Sequence, residues 1–318
     1  MANLNTFVLT GFKMLGLQST DGKNWRDIEI EGSFKSMALM DSASSPDGVV
    51  LIVGPNPEWA KDRRRILYAS GSLRNFEAKG FDHKVQALSR NGRMLDSGKR
   101  KKQDGLHRLE AVAYGNNRFV ATGGQAAHGR KVYTTSKNGR VWSDMYYWHS
   151  WEFGQVRTLI HGGDRFLGLG DFKRISTTRD GENWEFNREA DRPAWLSAAY
   201  GNERFVAGGL HGLHGVSRDG LNWTDLEEGE IGQHLNSMNF ANGTFVGLGT
   251  QVVAFSPDGQ SWRIEKIQPR LRAAAYGNGV FIGYDVAANK LYRSTDALKW
   301  EEVELKLDNP RFTSIRFI

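Results

Sequence analysis

The chain of 318 residues carries 42 Lys and Arg against 36 Asp and Glu, a net charge of +6, and has no cysteine, which excludes disulfides and thiolate chemistry. Its 37 glycines against only 7 prolines, with 11% aromatics, point to many tight turns around a packed core. No apolar run approaches the roughly 18 residues of a membrane-spanning helix. The first residues lack a basic stretch and an A-x-A-like site, so the sequence predicts no secretory signal and a cytoplasmic location.

In chain order, a strand at Asn5-Thr6-Phe7-Val8 leads into the first of seven copies of a box, Ser/Thr-x-Asp-Gly-x-x-Trp. The copies are Ser19-Thr20-Asp21-Gly22 to Trp25, a decayed Ser70-Gly71-Ser72-Leu73 to Phe76, Ser136-Lys137-Asn138-Gly139 to Trp142, and Thr178-Arg179-Asp180-Gly181 to Trp184. They continue with Ser217-Arg218-Asp219-Gly220 to Trp223, Ser256-Pro257-Asp258-Gly259 to Trp262 and Ser294-Thr295-Asp296-Ala297 to Trp300. Their final aromatics stand 51, 66, 42, 39, 39 and 38 residues apart, so seven units account for the chain, with an insertion around 81–105. Each unit reads as four short strands, in the last unit 271–276, 280–283, 291–293 and 300–305, and no stretch sustains a helical period. A small sheet buries both faces only against its neighbours. The expected fold is therefore all-β: one domain over 1–318, a seven-bladed β-propeller with four antiparallel strands per blade. Arg311 to Phe317 matches a first strand with no second, whereas the N-terminus starts on a second strand. The C-terminal strand is thus expected to complete the N-terminal blade and close the ring, with the termini side by side.

The box reads as the hairpin turn between third and fourth strands, where Asp-Gly supplies positive φ and a side-chain acceptor, and its Trp wedges between blades. These boxes resemble the Asp-box, or BNR-like, repeats of the sialidase-type propeller superfamily across all seven units, although the usual box has one more residue between Asp and Gly. The resemblance implies the propeller fold. It extends to BNR-like photosystem assembly factors that carry an arginine patch, which implies an assembly or interaction role. Sialidase chemistry needs an Arg cluster, a Tyr–Glu nucleophile and an Asp acid/base. Where that family has its Phe/Tyr-Arg-Ile-Pro motif, this chain reads Ser33-Phe34-Lys35-Ser36. Asp21, Asp180, Asp219, Asp258 and Asp296 recur once per unit around the periphery, so they are read as turn formers that do not converge on a catalytic or calcium centre.

Strand order divides the molecule into two ends. The uniform Tyr-Gly-Asn and Asp-Gly turns lie at one; the variable second-to-third loops and inter-unit connections lie at the other, where function is usually carried. Aligning first strands on Leu39, Tyr114, His161, Tyr200, Phe240, Tyr276 and Phe317 gives two rings. Four residues earlier stand Lys35, Glu110, Arg157, Leu196, Asn236, Arg272 and Thr313; six earlier stand Ser33, Arg108, Gln155, Ala194, His234, Arg270 and Arg311. A mouth with Lys35, Arg108, Arg157, Asn236, Arg270, Arg272 and Arg311, joined by loop residues His128 and His211, is expected to bind an anionic ligand, above all an acidic carbohydrate. His234, Glu110 and Tyr284 are the candidate catalytic groups of a glycan hydrolase or lyase, with Glu58, Asp62, Asp171 and Asp285 as further acids or bases. The alternative is a non-catalytic interaction or assembly scaffold with a protein partner. His211-x-x-His214 lacks a third ligand, so no metal is expected, and no cofactor is. Arg63-Arg64-Arg65 and Lys99-Arg100-Lys101-Lys102 read as solvated loop, and nucleic acid is not the expected partner.

Overall fold

The computed structural model describes residues 4–30, 38–54, 64–80, 86–88, 107–125, 130–143, 146–148, 156–170, 175–186, 195–227 and 231–318. These form six sheets, four of four strands, one of five and one of six. Among the described residues the helical element is a 3-10 turn, Leu210–Gly212.

The repeat is visible in the pairing. Val156–Gly162, Arg165–Gly170, Ile175–Thr178 and Glu185–Phe186 lie side by side in chain order, each antiparallel to the next. Trp195–Gly201, Arg204–Gly209, His214–Ser217 and Thr224–Glu227 do the same. In the six-stranded sheet, Arg263–Gly277 pairs through its first half with Thr244–Ser256 and through its second with Val280–Asp285. The long strand thus ends one unit and begins the next. Phe312–Phe317 pairs with Phe7–Gly11, and Thr6 and Ile318 exchange backbone hydrogen bonds of 3.0 and 2.9 Å. The C-terminal strand is therefore the first strand of the N-terminal sheet, as expected. Gln86–Leu88, from the insertion, adds a fifth strand parallel to Tyr146–Trp148.

The first strands Leu39–Ser45, His107–Gly115, Val156–Gly162, Trp195–Gly201, Leu235–Ala241, the second half of Arg263–Gly277, and Phe312–Phe317 touch one another in that order. The last returns to the first. Aromatic pairing helps to explain how most units seat on their neighbours. Each first-strand aromatic faces a buried second-strand phenylalanine, as in Tyr200–Phe205 at 4.8 Å and Phe317–Phe7 at 4.9 Å, an arrangement favoured beyond area burial alone. In four units a glycine follows it and accepts the aromatic of the next unit: a Cβ on Gly115 would run into His161, on Gly162 into Tyr200, on Gly201 into Phe240, and on Gly277 into Phe317. Only glycine permits so close an approach.

The box turns differ in one respect from the two-residue hairpin expected. In the first, Asp21 Oδ1 accepts from the backbone N–H groups of Lys23 and Asn24 at 2.8 Å, Gly22 N–H donates to Ser19 Oγ at 2.9 Å, and Trp25 Nε1 donates to the Gly22 carbonyl at 3.1 Å. The turn is a longer Asx-type loop, and only its glycine has positive φ, +72° in Gly22. At Gly181, also at positive φ, a Cβ would lie 2.5 Å from Val120 of the preceding unit, so the box glycine serves packing as well as turning.

Candidate functional site

The inner strands share a feature that sequence alone does not show. Leu235 faces Gly249 and Ser237 faces Leu248, which leaves Asn236 as an extra, unpaired residue, a β-bulge. The same shift leaves out Met40, Glu110, Arg157, Leu196, Arg272 and Thr313. A bulge bends its strand and re-aims one side chain. The ring four residues before the aromatic is therefore a ring of bulges around the inner circuit.

One member differs from expectation. Ser45 pairs with Gly48 as Gly115 pairs with Arg118, so Ser44, not Leu39, occupies the aromatic position of the second unit. Met40 and Ala38 replace Lys35 and Ser33 in the two rings. The misalignment arose because this unit lacks its aromatic pair, having Ser44 opposite Val49. Lys35 itself lies outside the described residues, as do His128, Glu58, Asp62 and Asp171. Arg108 and Arg157 occupy strands His107–Gly115 and Val156–Gly162, and their side chains are outside the described set.

Arg270, Arg272 and Arg311 stand exposed on two adjacent inner strands and their approach. Among the described residues no carboxylate forms an ion pair with them. The candidate catalytic groups are placed differently. Tyr284 is buried, its hydroxyl 2.5 Å from Asn289 Oδ1 and 3.2 Å from the Pro310 carbonyl oxygen, and burial raises its pKa above the ordinary phenol value. Asp285 accepts from the backbone N–H groups of Arg270 at 2.8 Å and Ala288 at 2.9 Å. His234 Nδ1 accepts the His211 N–H at 2.9 Å, and the two rings meet edge to face at 5.1 Å. Asn236 Nδ2 donates to the Leu271 carbonyl of the next inner strand at 2.8 Å. Glu110 is half-buried at its bulge and already engaged. His214 is buried with Nδ1 3.0 Å from the Gly212 carbonyl oxygen.

Two central residues escaped the sequence reading. Asp41, only 3% exposed in its side chain, follows the bulge at Met40. It accepts from Arg316 Nε at 2.7 Å and Nη2 at 2.8 Å, from Ser314 Oγ at 2.9 Å, and from the Val112 backbone N–H at 3.1 Å. Arg316 Nη2 also reaches the Leu159 carbonyl at 3.4 Å. Its strand and that of Leu159 are not neighbours in the circuit, so the guanidinium crosses the space the inner strands enclose. Burial there opposes the charge, but the Asp41 carboxylate outweighs it and holds the Arg316 pKa above its usual value. The available signal was columnar: Arg316 stands where the other units have Ala43, Ala113, Ile160, Ala199, Asn239 and Ala275.

A cleft of about 410 Å³ lined by Arg204, Arg218, Asp219, Asn222 and Gln260 lies at the opposite, box-turn end. Asp219 there is already bonded to Leu221, Asn222 and Ser217.

No family model matches the chain, and no curated protein matches it by sequence. Solved structures do. The Pan2 WD40 domain of Neurospora crassa is similar with a TM-score of 0.62 at 9% identity, over 97% of this chain and 88% of that one. YCF48 from Cyanidioschyzon merolae is similar with a TM-score of 0.57 at 14% identity, over 90% of each chain. A YCF48 structure bound to a D1 peptide gives a TM-score of 0.57 at 12% identity, over 87% and 85%. The chain is an all-β protein of propeller-like fold. At these identities the likeness extends to the fold and no further.

Proposed function

We propose that the chain is a seven-bladed propeller of four-stranded blades, with box turns of the Asp-box kind, that serves as a non-catalytic interaction module. Its variable-loop end docks an acidic segment of a protein partner. The closed circuit of inner strands and the pairing of Phe312–Phe317 with Phe7–Gly11 support the blade count and ring closure. One observation carries the functional reading: among the described residues of the loop end, Tyr284, Asp285 and His234 Nδ1 make structural hydrogen bonds, while Arg270, Arg272 and Arg311 are exposed. A phenol held by two acceptors and raised in pKa is a poor nucleophile, whereas unpaired guanidiniums suit carboxylate capture. The YCF48 structure bound to a D1 peptide is a precedent for a peptide on this fold.

The same arginines favour a second reading, an acidic carbohydrate, with hydrolase or lyase activity if a bond is broken. Fluorescence anisotropy with a glutamate-rich peptide and with a uronate oligosaccharide separates the two, alongside assays for reducing ends and unsaturated uronate. The peptide is expected to bind, more weakly as salt rises, and to lose binding in Arg270→Glu and Arg272→Glu, with no product from the oligosaccharide. Binding of the oligosaccharide alone, or any product, would overturn the interaction reading.

A further inference from the structure

The basic loop end carries exposed apolar side chains as well as charge. Phe12 is 54% exposed and Val286 47% exposed. Of the other large exposed apolar residues described, Val141 and Leu298 sit in box turns at the far end, and Ile264 lies where Arg263–Gly277 forms an outer strand.

Phe12 and Val286 are held in place by their backbones. Phe12 N–H donates to the Arg311 carbonyl at 2.9 Å, its carbonyl accepts from Leu15 N–H at 3.2 Å, and it bridges to Ala38. The loop bearing Val286 is pinned by Asp285 to Arg270 and Ala288. It is tied through Tyr284 and Asn289 to residues 309–312: Tyr284 reaches the Pro310 carbonyl, its ring meets Phe312 at 5.0 Å, and Asn289 Nδ2 donates to Asn309 Oδ1 at 2.9 Å. Both apolar side chains thus project from loops fastened to one segment. That segment carries Arg311; Arg270 and Arg272 lie on the neighbouring inner strand, and exposed Lys13 follows Phe12. Among the described residues the nearby acids are Asp285, committed to backbone groups, and exposed Asp308. Four cations among the described residues stand against one solvated carboxylate, so the seam is complementary to a negative partner.

Magnitudes decide what that partner must carry. Exposed ion pairs contribute little each and are screened by salt, so charge alone gives weak capture. A buried apolar anchor supplies what a lasting contact needs. We propose that this seam between the last and first units binds a short acidic segment of a protein partner carrying a bulky apolar residue. The apolar residue lies on Phe12 and Val286, and its flanking carboxylates meet Arg270, Arg272 and Arg311. This deepens the interaction reading above and rests on it.

The test uses the full chain and two synthetic peptides of equal length, glutamate alternating with leucine and phenylalanine or glutamate alternating with serine, with a heparin fragment as a third probe. The apolar-acidic peptide is expected to bind about tenfold tighter than the serine peptide. In Phe12→Ser with Val286→Ser, whose exposed positions leave the core intact, that advantage vanishes while the serine peptide binds as before. Arg272→Glu weakens both peptides. Equal affinity of the two peptides, or an advantage that survives the double substitution, overturns the seam and leaves a purely electrostatic mouth standing. Binding of heparin with neither peptide bound overturns the seam and the protein-partner reading together.

Discussion

Asp219 shows how a box residue spends its charge. Its Oδ1 accepts the backbone N–H groups of Leu221 and Asn222 at 2.9 and 2.8 Å and its Oδ2 accepts from Asn222 Nδ2 at 2.7 Å. Partial burial opposes ionisation, but these bonds win and lower its pKa from 3.8 to about 2. Asp21, Asp180, Asp258 and Asp296 are lowered in the same way. His161 is lowered as well, because burial disfavours its charged ring, which bonds to Asn116 Oδ1 at 3.0 Å. A depressed histidine leaves the folded state with fewer protons than the unfolded chain, so stability starts to fall as pH drops below about 6.5. The aspartates contribute fully above about 3.8 and lose their contribution as pH falls through their lower folded values. A melting series should therefore be flat at neutral pH, decline gently below about 6.5 and steeply below about 4. Asn138 already fills the box in the third unit, its Oδ1 accepting from Arg140 and Val141 at 2.9 Å. Asp219→Asn should accordingly keep the turn and remove part of the steep acid limb; an unchanged limb would exclude this residue as a source.

The inner strand is the element on which centre and mouth both depend, and its bulge was only half legible. Counting residues back from the aromatics picked out six of the seven bulged positions, because the repeat keeps their spacing. It failed in the second unit, where Ser44 and Val49 stand in place of an aromatic pair and nothing local marks the register. That slip hid Asp41, and with it the pairing that draws Phe312–Phe317, Leu39–Ser45 and His107–Gly115 together. Removing one partner of a buried ion pair costs about 3 kcal/mol or more, while removing both costs less. Arg316→Met should therefore destabilise the protein by about 3 kcal/mol, and Asp41→Asn added to it should restore part of the loss. Chemical denaturation of the singles and the double checks this. Strictly additive losses would mean that the two side chains do not act as a pair.

At the scale of the whole molecule, the repeat was enough to foresee an all-β radial fold and the joining of its ends, since both follow from counting strands. Chemistry was less legible. Sequence position placed Tyr284, Asp285 and His234 at the loop end but not their hydrogen bonds, which packing decides and which tie the loops together. Phe12 gave no sequence signal either, because a lone aromatic in a turn acquires meaning only beside Arg311 and the 285–290 loop. The molecule has two unlike ends: box turns that lock neighbouring units together, and a loop end whose described residues leave cations and two apolar side chains in solvent. Hydrogen exchange of the full chain with and without the apolar-acidic peptide tests that division most directly. Added protection at residues 11–15, 269–273, 285–290 and 309–312, with the box turns unchanged, is the predicted result. Protection centred on the box turns at 20–24, 180–184 and 219–223 would contradict it.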